Sequence, residues 1–251
     1  MTPPKIAPLY EDVTFHGPLS EERAARLIRS LEPLDGAHVL DLGCGWAEFL
    51  LRVLAAAPTA TGTGVDRNAV DIARAQANAD ARGLSDRVSL QVADVAQWHP
   101  DRPADVVVVS GASQVWGGDP LHHTTNALTA AKGLLRPGGR LLLGESFWER
   151  EPTADQLAAM PVPRDQYRSL AGLVDLAHEH GYRLLAAEQA SLDEWDVFEN
   201  GHGLAWERWL RDNPDSEHAA EIRAKADTQR TYRLHGWRGT LGLAYLTLQA
   251  P

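Results

Sequence analysis

Apolar and polar residues follow one another along the chain with a spacing that switches between that of helices and that of strands. Over residues 20–31 the apolar positions recur every three or four residues, behind a serine that can cap a helix and two acids in the first turn. Residues 38–42 form a short apolar run that ends at glycines, and helical spacing returns over 48–57. The pattern therefore predicts a helix, a strand, a glycine-rich turn and a second helix.

The alternation continues to the end of the chain. Further strands are predicted at 62–66, 88–92, 105–110, 140–144, 183–187 and 240–248, and helices at 69–82, 126–135 and 170–180. Strands that alternate with helices indicate a mainly parallel sheet covered on both faces. We predict a doubly wound α/β fold of the Rossmann-like type with seven strands.

Length and composition favour a single soluble domain. The 251 residues contain no Pro/Gly/Ser-rich linker, so we predict one domain over 1–251, with an N-terminal helical cap at 1–35 and a helical insertion at 191–238. No stretch of eighteen apolar residues could span a bilayer, the first residues lack the features of a secretion signal, and the single cysteine cannot form an internal disulfide. A cytoplasmic protein without membrane contact is expected, either a monomer or a homodimer.

The charge balance argues against one class of partner. A net charge of -10 repels a phosphate backbone, and no block of Lys and Arg offers a local basic track. We therefore expect no nucleic acid partner.

The strongest chemical signal lies after the first predicted strand. Gly43 and Gly45 stand where the strand turns into a helix, so a ligand could approach the backbone closely. Asp66 ends the second strand and Asp94 follows the third, where carboxylates can accept hydrogen bonds from a nucleoside. Two alternatives remain open: glycines and acids that only shape turns and cap helices, or a nicotinamide enzyme, although Glu48 occupies its third glycine position.

Four motifs are Asp41-Leu42-Gly43-Cys44-Gly45, Gly64-Val65-Asp66, Ala93-Asp94-Val95 and Leu134-Leu135-Arg136-Pro137-Gly138-Gly139. Through them the sequence resembles the class I S-adenosylmethionine (SAM)-dependent methyltransferases. The segments 110–116 and 144–148, together with Phe15-His16-Gly17-Pro18, resemble a bacterial branch of small-molecule methyltransferases. The resemblance covers roughly residues 36–190 and the last strand, and it implies that the last strand runs antiparallel. The family usually has a third glycine where this chain has Ala47.

The resemblance also implies a set of cofactor contacts. The loop of Gly43, Cys44 and Gly45 would lie under the methionine part of SAM, Asp66 would accept hydrogen bonds from the ribose hydroxyls, and Asp94 would bind the adenine amino group. The remaining residues that we assign to SAM, or to its product S-adenosylhomocysteine, are Asp41, Arg67, Val95 and Ser110.

The acceptor should lie beyond the carboxyl ends of the fourth and fifth strands. Methyl transfer from a sulfonium needs the two reactants held in line and sometimes a base, for which Glu145 and His16 are the candidates, each with an ordinary structural role as the alternative. We predict contacts with a small-molecule acceptor from Gln114, Trp116, Trp148, Trp195 and Trp206.

The insertion at 191–238 carries many aromatic residues and allows two interpretations. It could be a helical pair packed on the sheet, or an aromatic lid whose Asp193, Glu194 or Glu199 attracts a cationic group. Trp195 and Trp206 contact the acceptor only in the second interpretation.

We expect no metal, because the paired histidines of His122-His123 and of His178-x-His180 do not share a helix face. The sequence therefore predicts methyl transfer from SAM to O, N or C of a small metabolite. A SAM-binding regulatory protein, protein methylation, or SAM-dependent chemistry other than methylation remain as alternatives.

Overall fold

The computed structural model describes Tyr10 and residues 12–251, and the rest of the predicted cap at 1–35 lies outside the described residues. Seven strands form one sheet in the order β3-β2-β1-β4-β5-β7-β6. The strands are β1 His38–Leu42, β2 Thr61–Asp66, β3 Val88–Val92, β4 Ala104–Ser110, β5 Leu135–Trp148, β6 Arg183–Gln189 and β7 Leu241–Gln249.

Helices connect these strands and begin at side chains that can cap them. Ser20 accepts a hydrogen bond from the backbone of Arg23 at the start of α1, and Asn68 does so from Val70 at the start of α3. The helices are α1 Glu21–Ser30, α2 Glu48–Ala56, α3 Ala69–Ala81, α4 His123–Leu134, α5 Ala154–Ala159, α6 Leu170–Glu179, α7 Leu192–Asp212 and α8 Ala219–Thr231.

The strand directions confirm the predicted fold class. Strands β1 to β5 pair in parallel, and β7 runs antiparallel between β5 and β6. The chain crosses from one side of β1 to the other between β3 and β4, so the order of the strands reverses there. Such a reversal opens a crevice at the carboxyl ends of the strands, which is where this class of sheet binds ligands.

The core consists of two apolar layers, one on each face of the sheet. Successive residues of β1 face opposite layers: Val39 packs with the residues of α1 and α2, and Leu40 with those of α4 and α6. Both residues are completely buried. The central strands therefore form a rigid support for the loops at their carboxyl ends.

The segment between β6 and β7 is helical, as the aromatic spacing predicted. A capping box begins α7, in which Ser191 and Glu194 each accept a hydrogen bond from the other's backbone. After α8 a π-helical turn, Tyr232–Trp237, leads towards β7. A small separate core lies between α7 and α8, formed by Trp206, Leu210, Ala219 and Ile222.

The structure departs from the sequence prediction mainly at β5. This strand covers Leu135–Trp148, whereas the apolar pattern predicted only 140–144. Its C-terminal extension is paired with β7 as far as Trp148 opposite Leu241, so the antiparallel partner lengthens the strand at that end beyond its own apolar run. Within the described residues, no helix is long and apolar enough to cross a membrane.

Candidate functional site

The turn between β1 and α2 requires glycine at two positions. Gly43 and Gly45 both have left-handed backbone, with φ of 74° and 53°. A Cβ atom on Gly43 would lie 2.6 Å from the Cβ of Ala112, and one on Gly45 would lie 2.7 Å from Nδ1 of His16. The loop therefore packs closely between two other segments of the chain.

Ala47, at the usual position of the family's third glycine, also has left-handed backbone, with φ of 55°. Its side chain is buried and it directly precedes α2. For alanine this conformation costs about 1–2 kcal/mol, because its Cβ comes too close to the following carbonyl oxygen. The loop thus keeps a glycine-like backbone although the residue is alanine.

Asp66, at the end of β2, faces the glycine loop. Its Oδ2 accepts a hydrogen bond of 2.9 Å from the amide of Gly45, and its Oδ1 accepts one of 2.8 Å from the amide of Asn68. A carboxylate oxygen can accept more than one hydrogen bond. Asp66 can therefore shape the loop and still accept hydrogen bonds from a ligand.

Asp41, beneath the loop, is a buried carboxyl group. Burial, with a smaller contribution from the nearby negative charge of Asp66, raises the pKa of Asp41 to about 7. A cation bound beside Asp41 would favour its ionised form and lower that pKa. The electrostatics around Asp41 therefore favour a positively charged ligand.

Asp94, after β3, lies at the surface end of the same crevice. Its Oδ1 accepts a hydrogen bond of 3.0 Å from the amide of Ala96, which fixes the carboxylate at the start of a turn. Val95 next to it is buried, while Asp94 is exposed. One side of the crevice thus combines an apolar surface with a carboxylate.

These residues surround a main cavity of about 650 Å³ at the carboxyl ends of β1, β2 and β4. Eight of the nine residues that we assigned to the cofactor line it, and Gly45 is the exception because the ring of His16 lies against it. The eight are Asp41, Gly43, Cys44, Asp66, Arg67, Asp94, Val95 and Ser110.

His16 belongs to an N-terminal strap, which we define as residues 12–20, and it lines the main cavity. Its ring stacks on Trp46 at 4.6 Å between centroids, and Tyr10 lies 4.2 Å away. Burial lowers the pKa of His16, against the opposing effect of Asp71 and Asp66. Since no hydrogen bond of the described residues involves its ring nitrogens, His16 presents a neutral imidazole that is available to a ligand.

Three contacts position the strap over the cavity. Nε1 of Trp46 donates a hydrogen bond of 2.9 Å to the carbonyl of Thr14, and the hydroxyl of Tyr245 donates one of 3.1 Å to the carbonyl of Pro18. Near the start of the strap, Val13 lies so close to α7 that a Cβ on Gly201 would be 2.5 Å from Cγ1 of Val13. Sequence reasoning missed Trp46 and Tyr245, because their roles depend on contacts between distant parts of the chain.

The residues predicted to contact the acceptor are divided by the structure. Gln114 and Trp116 line the main cavity. Trp148 does not, because its Nε1 donates a hydrogen bond of 2.7 Å to the carbonyl of Arg164 and its ring packs edge-on against Tyr167.

Trp195 and Trp206 also lie away from the lining of the main cavity. Trp206 is buried in the small core between α7 and α8, and Trp195 packs edge-on against Phe198 beside the larger core. These contacts are those of a packed helical pair and not of an aromatic lid whose tryptophans contact the acceptor. The strap residues Phe15, His16 and Leu19 line the cavity instead.

Glu145, the other candidate base, lies outside the lining of the main cavity. Its carboxylate accepts hydrogen bonds from the hydroxyls of Ser113 and Thr124 and from the amide of Ser146. Burial raises its pKa, and these hydrogen bonds oppose the rise. In this structure Glu145 connects the end of β5 to the loop after β4 and to the start of α4, and so positions that wall of the cavity.

No group of three or more potential metal ligands among His, Cys, Asp and Glu occurs in the part of the chain that the structure describes. Nε2 of His123 instead lies 3.3 Å from the carbonyl oxygen of Gly118, and Nδ1 of His180 lies 2.9 Å from the carbonyl oxygen of Leu176.

Comparison with known proteins identifies relatives of the whole chain and of its cofactor region. Residues 39–139 match the profile of a methyltransferase domain. The Escherichia coli (strain K12) uncharacterized protein YjhP is 34% identical over 213 residues, which are 84% of each chain. A SAM-dependent methyltransferase from Thiobacillus denitrificans, solved in complex with S-adenosylhomocysteine, is 30% identical with a TM-score of 0.87, over 98% of this chain and 97% of that one.

A more distant relative acts on a named compound. The 27-O-demethylrifamycin SV methyltransferase of Amycolatopsis mediterranei is 34% identical over 164 residues, covering 62% of this chain and 57% of that protein.

Proposed function

Because this chain belongs to the class I SAM-dependent methyltransferases, we propose that it transfers the methyl group of SAM to an O, N or C atom of a small molecule. The observation that carries the proposal is the main cavity, where the glycine loop and the carboxylates of Asp41, Asp66 and Asp94 lie at the ends of three adjacent strands. A similar protein has been solved with the product of SAM bound.

The residues around the main cavity match the parts of SAM. Asp66 would accept hydrogen bonds from the ribose hydroxyls, and Asp94 would accept one from the adenine amino group, with Val95 and Arg67 beside the ring. The loop of Gly43, Cys44 and Gly45 would lie under the methionine part, where the buried carboxyl of Asp41 can compensate positive charge. Ser110, at the end of β4, completes this half of the cavity.

The other half of the main cavity would receive the acceptor. Phe15, Leu19, Trp116 and Tyr245 contribute an apolar wall to the cavity that His16 also lines. Arg67 is the only Lys or Arg among the described residues that line the cavity, and it lies at the adenine end. We therefore propose a neutral or cationic acceptor with apolar surface, since a polyanion would find no partner there. One similar enzyme is named for 27-O-demethylrifamycin SV, which supports a small-molecule acceptor by analogy.

In the proposed reaction, bound SAM supplies an electrophilic methyl group on a sulfonium, and S-adenosylhomocysteine is the product. The apolar wall excludes water and holds the acceptor in line with that methyl group. The neutral imidazole of His16 accepts the proton that an O–H or N–H acceptor releases as its new bond to carbon forms. Glu145, with its partners Ser113 and Thr124, positions the wall formed by the loop after β4.

The direct test is calorimetric titration with SAM and with S-adenosylhomocysteine, for the native chain and for Asp66→Ala. We expect binding that Asp66→Ala weakens by about 1–3 kcal/mol, because the ribose hydroxyls lose their acceptor. Asp80→Ala is a matched control, since this aspartate lies on the exposed face of α3. Absence of binding to the native chain would overturn the proposal.

A screen of small molecules for formation of S-adenosylhomocysteine then separates the enzyme from its alternative. Turnover with a neutral or amine-bearing compound supports the methyltransferase. Tight SAM binding with no turnover across chemically diverse acceptors would favour a SAM-binding regulatory protein instead.

We also propose that the protein acts in the cytoplasm. The absence of a membrane-spanning helix among the described residues and the acidic composition are consistent with that location.

A further inference from the structure

A second cavity, which we call the side cavity, lies beside the main one and has a volume of about 460 Å³. It is bordered by the N-terminal strap, the first turns of α1 and the first turns of α7. Its lining residues are Asp12, Val13, Thr14, Phe15, Gly17, Leu19, Ser20, Glu22, Arg23, Arg26, Ser191, Asp193, Glu194, Val197 and Phe198.

The two cavities share a wall. Phe15, Gly17 and Leu19 of the strap line both of them. No atom of a residue other than Gly17 and its two chain neighbours lies within 4 Å of the position that a Cβ on Gly17 would occupy, so there is open space beside the wall at this residue. A molecule bound at the acceptor half of the main cavity would therefore lie directly against the side cavity.

Part of the lining of the side cavity is apolar. Val13, Phe15, Leu19, Val197 and Phe198 contribute this part, and Val197 keeps 68% of its surface exposed although it lies on a helix. Burial of apolar ligand surface against such residues favours binding. An aliphatic or aromatic body would thus bind there favourably.

The charged residues of the side cavity are unbalanced towards negative charge. Four acids, Asp12, Glu22, Asp193 and Glu194, and two bases, Arg23 and Arg26, line it, and Asp12 is paired with Arg208 outside the lining. Asp193, in the first turn of α7, is in none of the ion pairs of the described residues. Arg238 interacts with it electrostatically but is itself paired with Asp196.

The two arginines are already engaged. Arg23 donates to Glu194 through Nε and to Glu188 through one terminal nitrogen. Arg26 donates to Glu188 through Nε and one terminal nitrogen, and to Glu22 through the other. An anionic ligand would have to break these ion pairs, whereas a cation can bind Asp193 without doing so.

We propose that the side cavity is a subsite for the part of the acceptor remote from the methylated atom, and that it selects an apolar body ending in an ammonium group. The acceptor would extend past Gly17, with its reacting atom beside His16 and its cationic end near Asp193. This assignment rests on the proposed function, which it extends by naming the acceptor class as an amphipathic amine.

Binding of three compounds with the same aliphatic chain tests the subsite: octylamine, octanol and octanoate, titrated calorimetrically into the protein saturated with S-adenosylhomocysteine. We expect octylamine to bind at least about ten times more tightly than octanoate, because only the amine gains the attraction of Asp193 and avoids the engaged arginines. Equal or tighter binding of octanoate would overturn the proposal.

Two pairs of variants locate the binding. Val197→Trp fills the side cavity, while Leu204→Trp places the same residue one heptad further along α7, at an exposed position outside the cavity. Asp193→Asn removes the unpaired charge, while Glu207→Gln removes a charge from an exposed position of α7 away from the cavity. We expect the first variant of each pair to weaken octylamine binding about five- to tenfold and its control to leave binding unchanged.

All four positions are solvent-exposed, so we expect the variants to fold. Circular dichroism checks their folding. If octylamine binding is the same in Val197→Trp and Leu204→Trp, the side cavity is not the subsite. The same titrations without S-adenosylhomocysteine separate the two proposals: if the nucleoside fails to bind but octylamine binds in a Val197-dependent way, the proposed methyltransferase function fails and the amine-binding cavity stands.

Discussion

The carboxylate of Glu194 accepts hydrogen bonds from Nε of Arg23 through both of its oxygens, each at 3.0 Å. The same carboxylate accepts a hydrogen bond from the amide of Ser20 and another from that of Ser191. One buried acid thus joins the start of α1 to the start of α7, and it forms part of the wall of the side cavity. These hydrogen bonds hold the pKa of Glu194 at about 2, against the effect of its burial.

Replacement of this acid should destabilise the contact between the two helices. We expect Glu194→Gln to lower the free energy of unfolding by about 1–3 kcal/mol, because a charged hydrogen bond to Arg23 is lost. Since the pKa of Glu194 lies below its ordinary value, its stabilising contribution is present above pH 4.5 and is lost as the pH falls towards 2. Urea denaturation at pH 7 and at pH 3 measures both effects.

Glu221→Gln is the matched control for Glu194, because Glu221 forms an exposed ion pair with Lys225 one helical turn away. Such a pair contributes about 0.3–0.5 kcal/mol. Equal effects of the two substitutions would show that Glu194 has no special role in joining α1 and α7.

The binding of SAM should release a proton at neutral pH. Asp41 has a pKa of about 7 in the empty site, so it is partly protonated there, and the positive charge of SAM would lower that pKa. We therefore expect the affinity for SAM to rise with pH up to about 7, by at most about tenfold per unit. Calorimetry in two buffers with different heats of ionisation counts the protons released.

The carboxyl of Asp41 should give the stability of the ligand-free protein a pH dependence of the opposite sign. Because the pKa of Asp41 is raised on folding, its contribution is present below pH 3.8 and is lost as the pH rises through about 7. Asp41→Asn should remove both the pH dependence of SAM affinity and this pH dependence of stability. A proton count of zero for the native chain at pH 7 would contradict the assignment.

Gly45 tests the packing between the loop and the strap. An alanine there would have φ of 53° and would place its Cβ 2.7 Å from Nδ1 of His16, so we expect displaced strap residues and at least about tenfold weaker SAM binding. Gly36→Ala is the control, since Gly36 has a φ of 66° but open space around it. Both variants should lose about 1–2 kcal/mol of stability from backbone strain, whereas weaker SAM binding is expected only for Gly45→Ala.

Trp206 separates the two interpretations of the helical insertion. It is buried among residues of α7 and α8, so Trp206→Ala should cost about 3–5 kcal/mol in the free energy of unfolding. Leu204→Ala, at an exposed position of the same helix, should change the stability by less than about 0.5 kcal/mol. If the Trp206→Ala variant is stable but has a raised KM for the acceptor, that result would support the aromatic-lid interpretation instead.

The grouping of the residues that we propose to bind the cofactor could be predicted from the sequence, because its signals are local. Each of Asp41, Asp66 and Asp94 lies in or just after a strand whose apolar run is visible, and parallel strands bring their carboxyl ends together. The glycines of the loop mark the turn itself. No knowledge of distant contacts was needed to group these residues.

The acceptor half could not be predicted in this way. Phe15, Trp46 and Tyr245 come together only because the strap folds back over the sheet, and nothing in their spacing indicates that contact. The tryptophans of the insertion gave a clear helical spacing, but spacing alone does not say whether an aromatic face packs against another helix or faces a cavity. Trp206 packs against α8.

His16 offers the sharpest test of the proposed chemistry. His16→Phe keeps an aromatic ring against Trp46 but removes both ring nitrogens, so the strap should stay in place while the proton acceptor is lost. For an O–H or N–H acceptor we expect turnover to fall by about 10²–10⁴-fold, with SAM affinity nearly unchanged.

Because burial lowers the pKa of His16, native activity should be constant above neutral pH and should fall only at acidic pH. Tyr10→Phe, which preserves the ring beside His16, should behave as the native chain does. If His16→Phe retains native turnover and its pH profile, then His16 only packs between the strap and the loop, and methyl transfer proceeds without a base from this side chain.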